Sequence, residues 1–341
     1  MPSNIEWLLL IGTVLASAVG TGLWRQHALA RQLLDIPNAR SSHSRPTPLG
    51  GGLAIVVVFL AIVVGLLSRG VLDRSVSAAL LGAGLAVATV GFVDDRKHVA
   101  ARWRLLLHFV AAMWALHWLG GAPPFLVFGQ MISLGWAGNA LALVALVWLL
   151  NLYNFMDGID GIAGVEACTV CVGAALVGTA RASAGGQDTL SMILGAACLG
   201  FLFWNFPPAR IFLGDVGSGF LGITLGIIAL AAAHTDPTRF WTWMILLGVF
   251  VVDATVTLVR RAAAGARVFD AHRSHAYQHA AFRTGSHARI SLAVGAINLC
   301  WLLPVALLVA TGRVDGVIGC TLAYLPLTWL AVRLGAGKVH T

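Results

Sequence analysis

The chain has 341 residues, of which 58% are hydrophobic and only 11% are charged. Soluble domains usually carry about 25% charged residues, so the composition excludes a soluble enzyme or binding module and indicates an integral membrane protein. The formal net charge of +8 is explained by the basic residues that orient membrane helices. Since no polar stretch is long enough for a second domain, we expect one membrane domain over residues 1–341.

Long apolar segments recur along the whole chain. A membrane-spanning helix needs about 20 predominantly apolar residues, and many segments approach this length. We therefore predict an all-α, polytopic integral membrane protein with about eleven transmembrane helices. The segments lie near residues 5–24, 49–67, 76–93, 104–120, 137–153, 161–180, 189–206, 216–234, 240–259, 290–310 and 314–332.

The basic residues indicate how these helices are oriented. If the N-terminus lies outside, 17 of the 22 lysines and arginines fall in cytoplasmic loops, as the positive-inside rule requires. We therefore predict a periplasmic N-terminus. Residues 1–7 contain Glu6 and no basic residue, whereas a signal peptide begins with a positive region, so we expect the first helix to be retained.

Two polar stretches of the predicted cytoplasmic side come early in the chain. DIPNARSSHSRPTPLGGG, at 35–52, places three glycines at the start of a helix, where backbone can approach another group closely; it could equally be a flexible connection. GFVDDRKHVAARWR, at 91–104, ends a helix with Asp94 and Asp95. Adjacent helical side chains point about 100° apart, so one carboxylate can face a central cleft while the other bonds a neighbour. Both could also be boundary residues.

Two further stretches combine aspartate with glycine. NLYNFMDGIDGIAG, at 151–164, carries Asn154, Asp157 and Asp160 at intervals of three, which on a helix form one slanted stripe. Asp157-Gly158 and Asp160-Gly161 are also typical of the break between one helix and the next, and Asp160 alone could be the N-cap of the second helix. NFPPARIFLGDVGSGFLG, at 205–222, places Asp215 at a glycine-rich helix start. The N–H groups there could bind a phosphate, and Asp215 could cap the helix or hold Mg²⁺.

The longest polar stretch is RRAAAGARVFDAHRSHAYQHAAFRTGSHAR, at 260–289, with four histidines and six arginines. Its Asp-x-His-x-x-His spacing could indicate zinc, but no cysteine is near, and interleaved arginines suit phosphates or a sugar nucleotide better. Asp253 precedes this stretch by about half a membrane span. An ionisable group is costly there, so Asp253 serves either a polar neighbour or the site itself.

Together these acids predict a cation site at the cytoplasmic membrane surface. A cluster of carboxylates repels itself unless a cation lies within it. A divalent metal with a pyrophosphate-containing substrate meets this need, because the metal neutralises the carboxylates and polarises the phosphorus under attack. Without any comparison, these residues predict metal-assisted phosphoryl transfer at a membrane interface. The residues of the predicted site are Asp94, Asp95, Asn154, Asp157, Asp160, Asp215 and Asp253.

Five motifs, in order, resemble those of one family. GFVDDR, NLYNFMDGIDGIAG, RIFLGDVGSGFLG, VDATVTLVRR and the histidine-rich stretch, within about residues 35–290, are similar to motifs of the polyprenyl-phosphate N-acetylhexosamine-1-phosphate transferases, glycosyltransferase family 4. AHRSHAYQH looks most like the branch that initiates O-antigen synthesis. It departs from the His-His-His stretch of the lipid I-forming translocase, which argues against UDP-MurNAc-pentapeptide as donor.

The resemblance implies a reaction and its partners. Family members transfer a sugar 1-phosphate from a UDP-linked N-acetylamino sugar to undecaprenyl phosphate and release UMP, with Mg²⁺, or Mn²⁺ in its place, as cofactor. The resemblance further implies a bacterial inner-membrane enzyme of lipopolysaccharide O-antigen synthesis, no nucleic-acid partner and a homodimer. The identity of the amino sugar stays open. So does the choice between direct attack, which we favour, and a covalent aspartyl intermediate.

The resemblance also implies roles for individual residues. Asp215 resembles the principal Mg²⁺ ligand, with Asn154 as the second, and Asp94 resembles the acid that deprotonates or positions the lipid phosphate. The other catalytic candidates are Asp95, Asp157, Asp160 and His272. The candidates for substrate binding are Asn205, Phe212 (which would stack on uracil), Arg273, His275 and Arg45 (in place of a basic residue of the translocase).

Two other functions fit part of the pattern. A transporter or flippase for an anionic lipid would also carry charge within the membrane, but the acids gather at one end and no inverted repeat is evident. A CDP-alcohol phosphotransferase also has an Asp-rich membrane site, but its Asp-Gly is followed by Ala-Arg, which DGIDGIAG lacks.

Overall fold

The computed structural model describes residues 4–37, 45–181, 185–266 and 273–338. Within these residues the protein is all-α apart from two short antiparallel strand pairs, as predicted. The strands are β1 (Leu34–Asp35) with β2 (Thr47–Pro48), and β3 (Phe125–Val127) with β4 (Gln130–Ile132). The helices are α1 (Asn4–Ala30), α2 (Gly52–Ser68), α3 (Arg74–Asp94), α4 (Ala101–Leu119), α5 (Gly135–Met156), α6 (Ile162–Ala180), α7 (Gly186–Asn205), α8 (Asp215–Thr235), α9 (Thr238–Leu246), α10 (Gly248–Ala263), α11 (Ala276–Thr284), α12 (His287–Ile297), a π-helical turn (Asn298–Leu302), α13 (Leu303–Ala310) and α14 (Gly316–Leu334).

Nine of the eleven apolar segments each fall mainly on one helix, whereas 240–259 is divided between α9 and α10 and 290–310 runs through α12, the π-helical turn and α13. Among the described residues, eight helical segments are long and apolar enough to cross a membrane, and nine if α9 and α10, bent by 69°, count as one span. The shorter α2 has 17 residues, and α4 carries Arg102 and Arg104 near its start. The structure therefore has the build of a multi-pass membrane protein. The count of about eleven spans and their orientation stay predictions.

The helix α8 lies at the centre of the bundle, packed against α2, α3 and α5, and nearly all its residues are buried. Its glycines let the neighbouring helices come close. A Cβ added at Gly222 would lie 2.6 Å from the Cα of Leu150, and one at Gly226 would lie 2.5 Å from the Leu146 side chain. The composition of α8 thus makes it the central helix, and its first turn becomes the meeting point of several others.

Glycines also bring α2 and α3 against the first turn of α8. A Cβ added at Gly52 would lie 2.3 Å from the Cα of Gly217, and one added at Gly91 would lie 2.4 Å from the carbonyl oxygen of Asp215. The prediction that the Gly50–Gly52 triplet permits a close backbone approach is confirmed, and its partner is the start of α8. These contacts place the end of α3, which carries two aspartates, beside Asp215.

We expect Gly91→Ala to lower the free energy of unfolding by about 1–3 kcal/mol, the usual cost of overpacking, because the new methyl group would collide with the Asp215 backbone. Gly65→Ala, in α2, is the matched control, since no atom lies within 4 Å of an added Cβ there and alanine favours helix. Melting temperatures of the purified protein in detergent measure both. Equal melting temperatures for the two variants would contradict the close contact.

Candidate active site

The N-terminus of α8 is capped by a side chain from α3. The Asp95 carboxylate accepts the N–H of Asp215 at 2.8 Å through Oδ1 and the N–H of Val216 at 3.2 Å through Oδ2. The next two N–H groups, of Gly217 and Ser218, donate to the carbonyl of Gly214. Our interpretation of this helix start as a phosphate site is therefore wrong, because the N–H groups of its first turn are already used.

Asp95, a catalytic candidate, thus has a backbone partner for each carboxylate oxygen. Burial raises the pKa of Asp95 to about 6, with a contribution from the neighbouring Asp94 charge and against the effect of the two N–H donors. The adjacent carboxylates do point to different partners, as predicted for neighbouring helical residues. Asp94 accepts the N–H of Val99 at 2.7 Å and faces α4 instead.

Arg104 of α4 joins Asp94 to Asp215. Its Nη1 forms an ion pair with Asp94 and another with Asp215 Oδ2 at 3.0 Å. The side chain of Asp94 is 5% exposed, whereas those of Arg104 and Asp215 are about one third exposed. A guanidinium between two carboxylates offsets their mutual repulsion, and the open sides of Arg104 and Asp215 leave this cluster accessible.

Asn154 approaches Asp215 from α5. Its Nδ2 donates to Asp215 Oδ1 at 2.6 Å and to the Ser218 hydroxyl at 3.3 Å. The two candidate metal ligands are therefore in direct contact. Asn154 contacts Asp215 through its nitrogen, and the amide oxygen is the atom that a metal would use.

Asn154, Asp157 and Asp160 do not form a stripe on one helix, because α5 ends at Met156 and α6 begins at Ile162; the two Asp-Gly pairs instead lie in the break between these helices, as our alternative predicted. Asp157 is the C-cap residue of α5, and its carboxylate has no hydrogen bond or ion pair with any described residue. Burial, together with the charges of Asp215, Asp95 and Asp160, holds the pKa of Asp157 well above its usual value. Within the described residues, Asp157 is therefore an unpaired carboxyl group that is close enough to the other acids to be affected by their charges.

Asp160 ties three segments together. Its Oδ2 accepts the N–H of Ala209 at 3.0 Å, and its Oδ1 lies 3.3 Å from Nδ1 of His287 in α12. Its carbonyl accepts the Ser291 hydroxyl at 2.8 Å. The N-cap residue of α6 is Gly161, so Asp160 is not the N-cap that we considered. It fixes the turn after α5 against the segment after α7 and against α12.

Two candidates for the donor pocket lie near the end of α7: Asn205 is its last residue, and Phe212 lies in the segment that follows. Asn205 is buried, and its Oδ1 accepts the N–H of Gly161 at 3.0 Å while its Nδ2 donates to the carbonyl of Ile211 at 2.9 Å. The half-buried Phe212 donates its N–H to the carbonyl of Pro48, and its own carbonyl accepts the N–H of Gly51, both at 2.8 Å. Asn205 therefore holds the backbone around the acids, and Phe212 keeps its side chain partly open.

The remaining candidates are less closely joined to the acids. Arg45 is exposed at the start of the 45–51 segment, and Arg273 is half-buried. His275 is buried, with its Nδ1 3.5 Å from Oδ1 of Asp253 and its ring 6.4 Å from that of Phe155. His272 lies outside the described residues.

Asp253 anchors the start of α11. It accepts the N–H groups of Ala276 at 2.9 Å and Tyr277 at 3.0 Å, as an N-terminal capping group does. The Tyr277 hydroxyl in turn donates to the carbonyl of Phe155 at 2.9 Å, and a Cβ added at Gly158 would lie 2.2 Å from that hydroxyl. Asp253 therefore acts on a polar neighbour, one of our two alternatives, and brings α11 beneath the turn that carries Asp157.

A cavity of about 440 Å³ opens beside these acids. Its polar end is formed by Arg104, Asn154 and Asp215, and its walls include Phe109 and Trp148. A second, apolar cavity of about 320 Å³ shares Trp148 and extends to Phe125 in β3, toward the opposite end of the bundle. The site therefore joins a charged end to a long apolar surface, which suits an amphipathic ligand with an anionic head.

Comparison with known proteins identifies the family. A family model described as glycosyl transferase family 4 matches residues 77–233. A probable undecaprenyl-phosphate N-acetylglucosaminyl 1-phosphate transferase of Bacillus subtilis is 30% identical over 264 residues, which cover 74% of this chain and 70% of the relative. The chain belongs to glycosyl transferase family 4. This finding confirms the resemblance to the polyprenyl-phosphate N-acetylhexosamine-1-phosphate transferases and indicates an enzyme that transfers a sugar phosphate.

Other relatives carry related names. A decaprenyl-phosphate N-acetylglucosaminephosphotransferase of Mycobacterium leprae is 30% identical and covers 84% of this chain and 80% of the relative. A phospho-N-acetylmuramoyl-pentapeptide-transferase of Picosynechococcus sp. is 32% identical and covers 76% of this chain and 73% of the relative. The matches thus include relatives named for different sugars, so family membership alone does not select the sugar.

Sequence reasoning missed Arg104 as a residue of this transferase site. It counted Arg104 as an orientation signal, although the residue stands ten positions after Asp94, at the start of the next helix. It also gave no role to Tyr277, which sits within the histidine-rich stretch. The available signal was the return of α4 toward the end of α3, which brings its first turn close to the DD pair.

The carboxylates of the site suit a hard divalent cation, which binds oxygen ligands. Among the described residues, no three or more His, Cys, Asp or Glu side chains are close enough to form one metal site, and Arg104 supplies the positive charge between Asp94 and Asp215. Asp157 is left without such a partner. A cation beside Asp157 therefore fits the chemistry of the residues, although the side chains are not gathered around one point.

We expect Arg104→Gln to lower kcat by about 100-fold, the usual loss when one charge-stabilising group is removed, because Asp94 and Asp215 would lose their shared cation. Arg74→Gln is the matched control, since Arg74 is exposed at the start of α3, does not line the cavity and forms no ion pair with a described residue. Sugar-phosphate transfer by the purified variants measures the effect. Equal activities of the two variants would contradict a role for Arg104.

Proposed function

We propose that the protein transfers an N-acetylated amino-sugar 1-phosphate from a UDP-sugar to undecaprenyl phosphate and releases UMP. The observation that carries this proposal is the charged cluster of Asp94, Arg104 and Asp215, of which Arg104 and Asp215 line the polar end of an apolar cavity. A transporter needs no such cluster for phosphoryl chemistry. The names of the relatives, which join a polyprenyl phosphate to an N-acetylglucosamine phosphate, support the same reaction.

The acceptor would occupy the 440 Å³ cavity. Its phosphate would lie near Arg104, whose guanidinium is only partly engaged by Asp94 and Asp215. Its isoprenoid chain would follow the apolar wall past Trp148, which borders both cavities. Binding of the isoprenoid chain would orient the phosphate, because it fixes the direction from which the phosphate approaches the donor.

Mg²⁺, or Mn²⁺ in its place, would be held by Asp215 and Asp157, with the amide oxygen of Asn154 as a further ligand. When bound, the ion would neutralise charge on the diphosphate and make its phosphorus more electrophilic. Arg104 could then also bind the phosphate, because a phosphate, like a carboxylate, is an anionic partner for a guanidinium. The unpaired carboxyl group of Asp157 is the feature that favours this placement.

The transfer itself would be a direct displacement. An oxygen of the acceptor phosphate, already anionic at neutral pH, would attack the phosphorus next to the sugar, and the bond to UMP would break. Asp94, held by Arg104 and Val99, would orient the attacking phosphate. Asp95 would act by fixing the start of α8, and a covalent aspartyl intermediate is not needed.

The donor would lie on the side of Asp160, where the turn after α5 meets the segment after α7. Asp160 and Asn205 would shape its pocket through their backbone contacts, and the partly open Phe212 would stack on uracil. The side chains that would contact the diphosphate or sugar are Arg45, His272, Arg273 and His275.

The setting of the reaction follows from the same proposal. The acid cluster would face the cytoplasm of a bacterial inner membrane, with about eleven spans and a periplasmic N-terminus, because nucleotide sugars are cytoplasmic. The product would begin a lipid-linked O-antigen or related surface polysaccharide. AHRSHAYQH supports this branch over lipid I synthesis, and we propose that the enzyme works as a homodimer.

The test is UMP release by the purified protein with undecaprenyl phosphate and a panel of UDP-N-acetylamino sugars, with Mg²⁺ and with EDTA. We expect release with one donor only when Mg²⁺ is present. Asp215→Asn should lose most activity, about 100-fold or more, while still inserting into the membrane. Asp73→Asn, at the start of α3 and without a side-chain cap bond, should retain activity.

Two results would count against this proposal. Activity that is unchanged in EDTA would contradict the metal, and no UMP release with any donor from folded protein would favour a lipid transporter. Transfer of label from the UDP-sugar to lipid distinguishes a transferase from a transporter, because a transporter forms no new phosphate bond.

A further inference from the structure

Two arginines share one tryptophan on the outer surface of α1 and α7. The guanidinium carbon of Arg25 lies 5.7 Å from the centre of the Trp204 ring, and that of Arg210 lies 6.0 Å from it. The indole is fixed, since its Nε1 donates to the carbonyl of Ala18 at 2.8 Å. The pair is therefore arranged around one rigid aromatic platform.

The backbone holds the two arginines together. Nε of Arg25 donates to the carbonyl of Arg210 at 3.1 Å, and the N–H of Arg210 donates to the carbonyl of Trp204 at 2.8 Å. Neither arginine forms an ion pair with a carboxylate in the described part of the chain. Two positive charges at one aromatic ring, with no carboxylate partner, favour an anion.

The surroundings of the patch are apolar and face outward. Phe203, whose ring lies 5.6 Å from that of Trp204, is 70% exposed, and Leu23 and Leu199 are 61% and 55% exposed. These side chains lie on the same two helices, α1 and α7, which pass the length and hydropathy criteria for membrane spans. A lipid whose head group binds at the patch would therefore have its acyl chains beside these apolar helices.

We propose that Arg25, Trp204 and Arg210 form a binding site for the phosphate of an anionic bilayer phospholipid, such as phosphatidylglycerol. The two guanidiniums would bind the phosphodiester, and the exposed Phe203 beside Trp204 would contact the acyl chains. Basic residues near a membrane surface attract anionic lipids in this way. The site is separate from the acceptor cavity, whose lining does not include these residues.

Occupancy of this site would reach the active site through the segment that carries Arg210. The residue before it, Ala209, donates its N–H to Asp160, and the residue after it, Ile211, accepts the amide of Asn205. Both contacts hold the turn that carries the acids. A lipid bound to Arg210 therefore stabilises this segment, and anionic lipid should raise both the melting temperature and the turnover of the enzyme.

The experiment is native mass spectrometry of the delipidated full-length protein, titrated with phosphatidylglycerol. We expect the double variant Arg25→Gln/Arg210→Gln to bind the lipid roughly 30-fold more weakly, the sum for two arginines at an anionic surface. Arg333→Gln is the matched control, because Arg333 lies alone over Trp329 at 5.2 Å, and it should keep nearly full affinity. Should the double variant fail to fold, each single variant should bind roughly fivefold more weakly.

Two outcomes would overturn the proposal. One is equal lipid affinity in the wild type and in the double or single variants. The other is displacement of the lipid by inorganic phosphate, which would make the patch a site for free anions. A rise in melting temperature with phosphatidylglycerol in the wild type, lost in the double variant and kept in Arg333→Gln, supports it.

Discussion

The buried start of α8 sets the constraint on which the site depends. A helix N-terminus inside a protein needs acceptors for its free N–H groups, and carboxylates gathered there need positive charge. Asp95 meets the first need, and Arg104 meets the second between Asp94 and Asp215. Glycines in α2 and α3 make these contacts geometrically feasible. The helices α3, α4 and α8 are therefore fixed relative to one another by the same residues that surround the candidate reaction centre.

Aspartates that look alike in the sequence divide into two groups in the structure. Asp95, Asp160 and Asp253 accept backbone N–H groups from other segments and so hold the frame of the site. Asp94 and Asp215 share Arg104, and Asp157 has no partner among the described residues. This division explains how a membrane protein can keep so many acids at one end: half of them replace missing backbone acceptors, and only the rest need a cation or substrate.

The motifs made the gathering of these acids predictable, because each lies at the same end of a membrane segment. The different directions of Asp94 and Asp95 also followed from helix geometry. The role of Arg104 did not, since sequence spacing does not say which way α4 rotates as it returns. The phosphate role assigned to the glycine-rich turn failed for a related reason: a capping group from a different helix, Asp95, is invisible to local pattern. The contact of His287 with Asp160 likewise depends on long-range packing.

The proposed divalent cation site rests above all on the unpaired carboxyl group of Asp157. Titration of the purified protein with Mn²⁺, followed by electron paramagnetic resonance, tests it most directly. The account predicts one bound ion per chain, with affinity at least about tenfold weaker in Asp157→Asn and unchanged in Asp73→Asn. Mn²⁺ that binds equally well to wild type and to Asp157→Asn would contradict it.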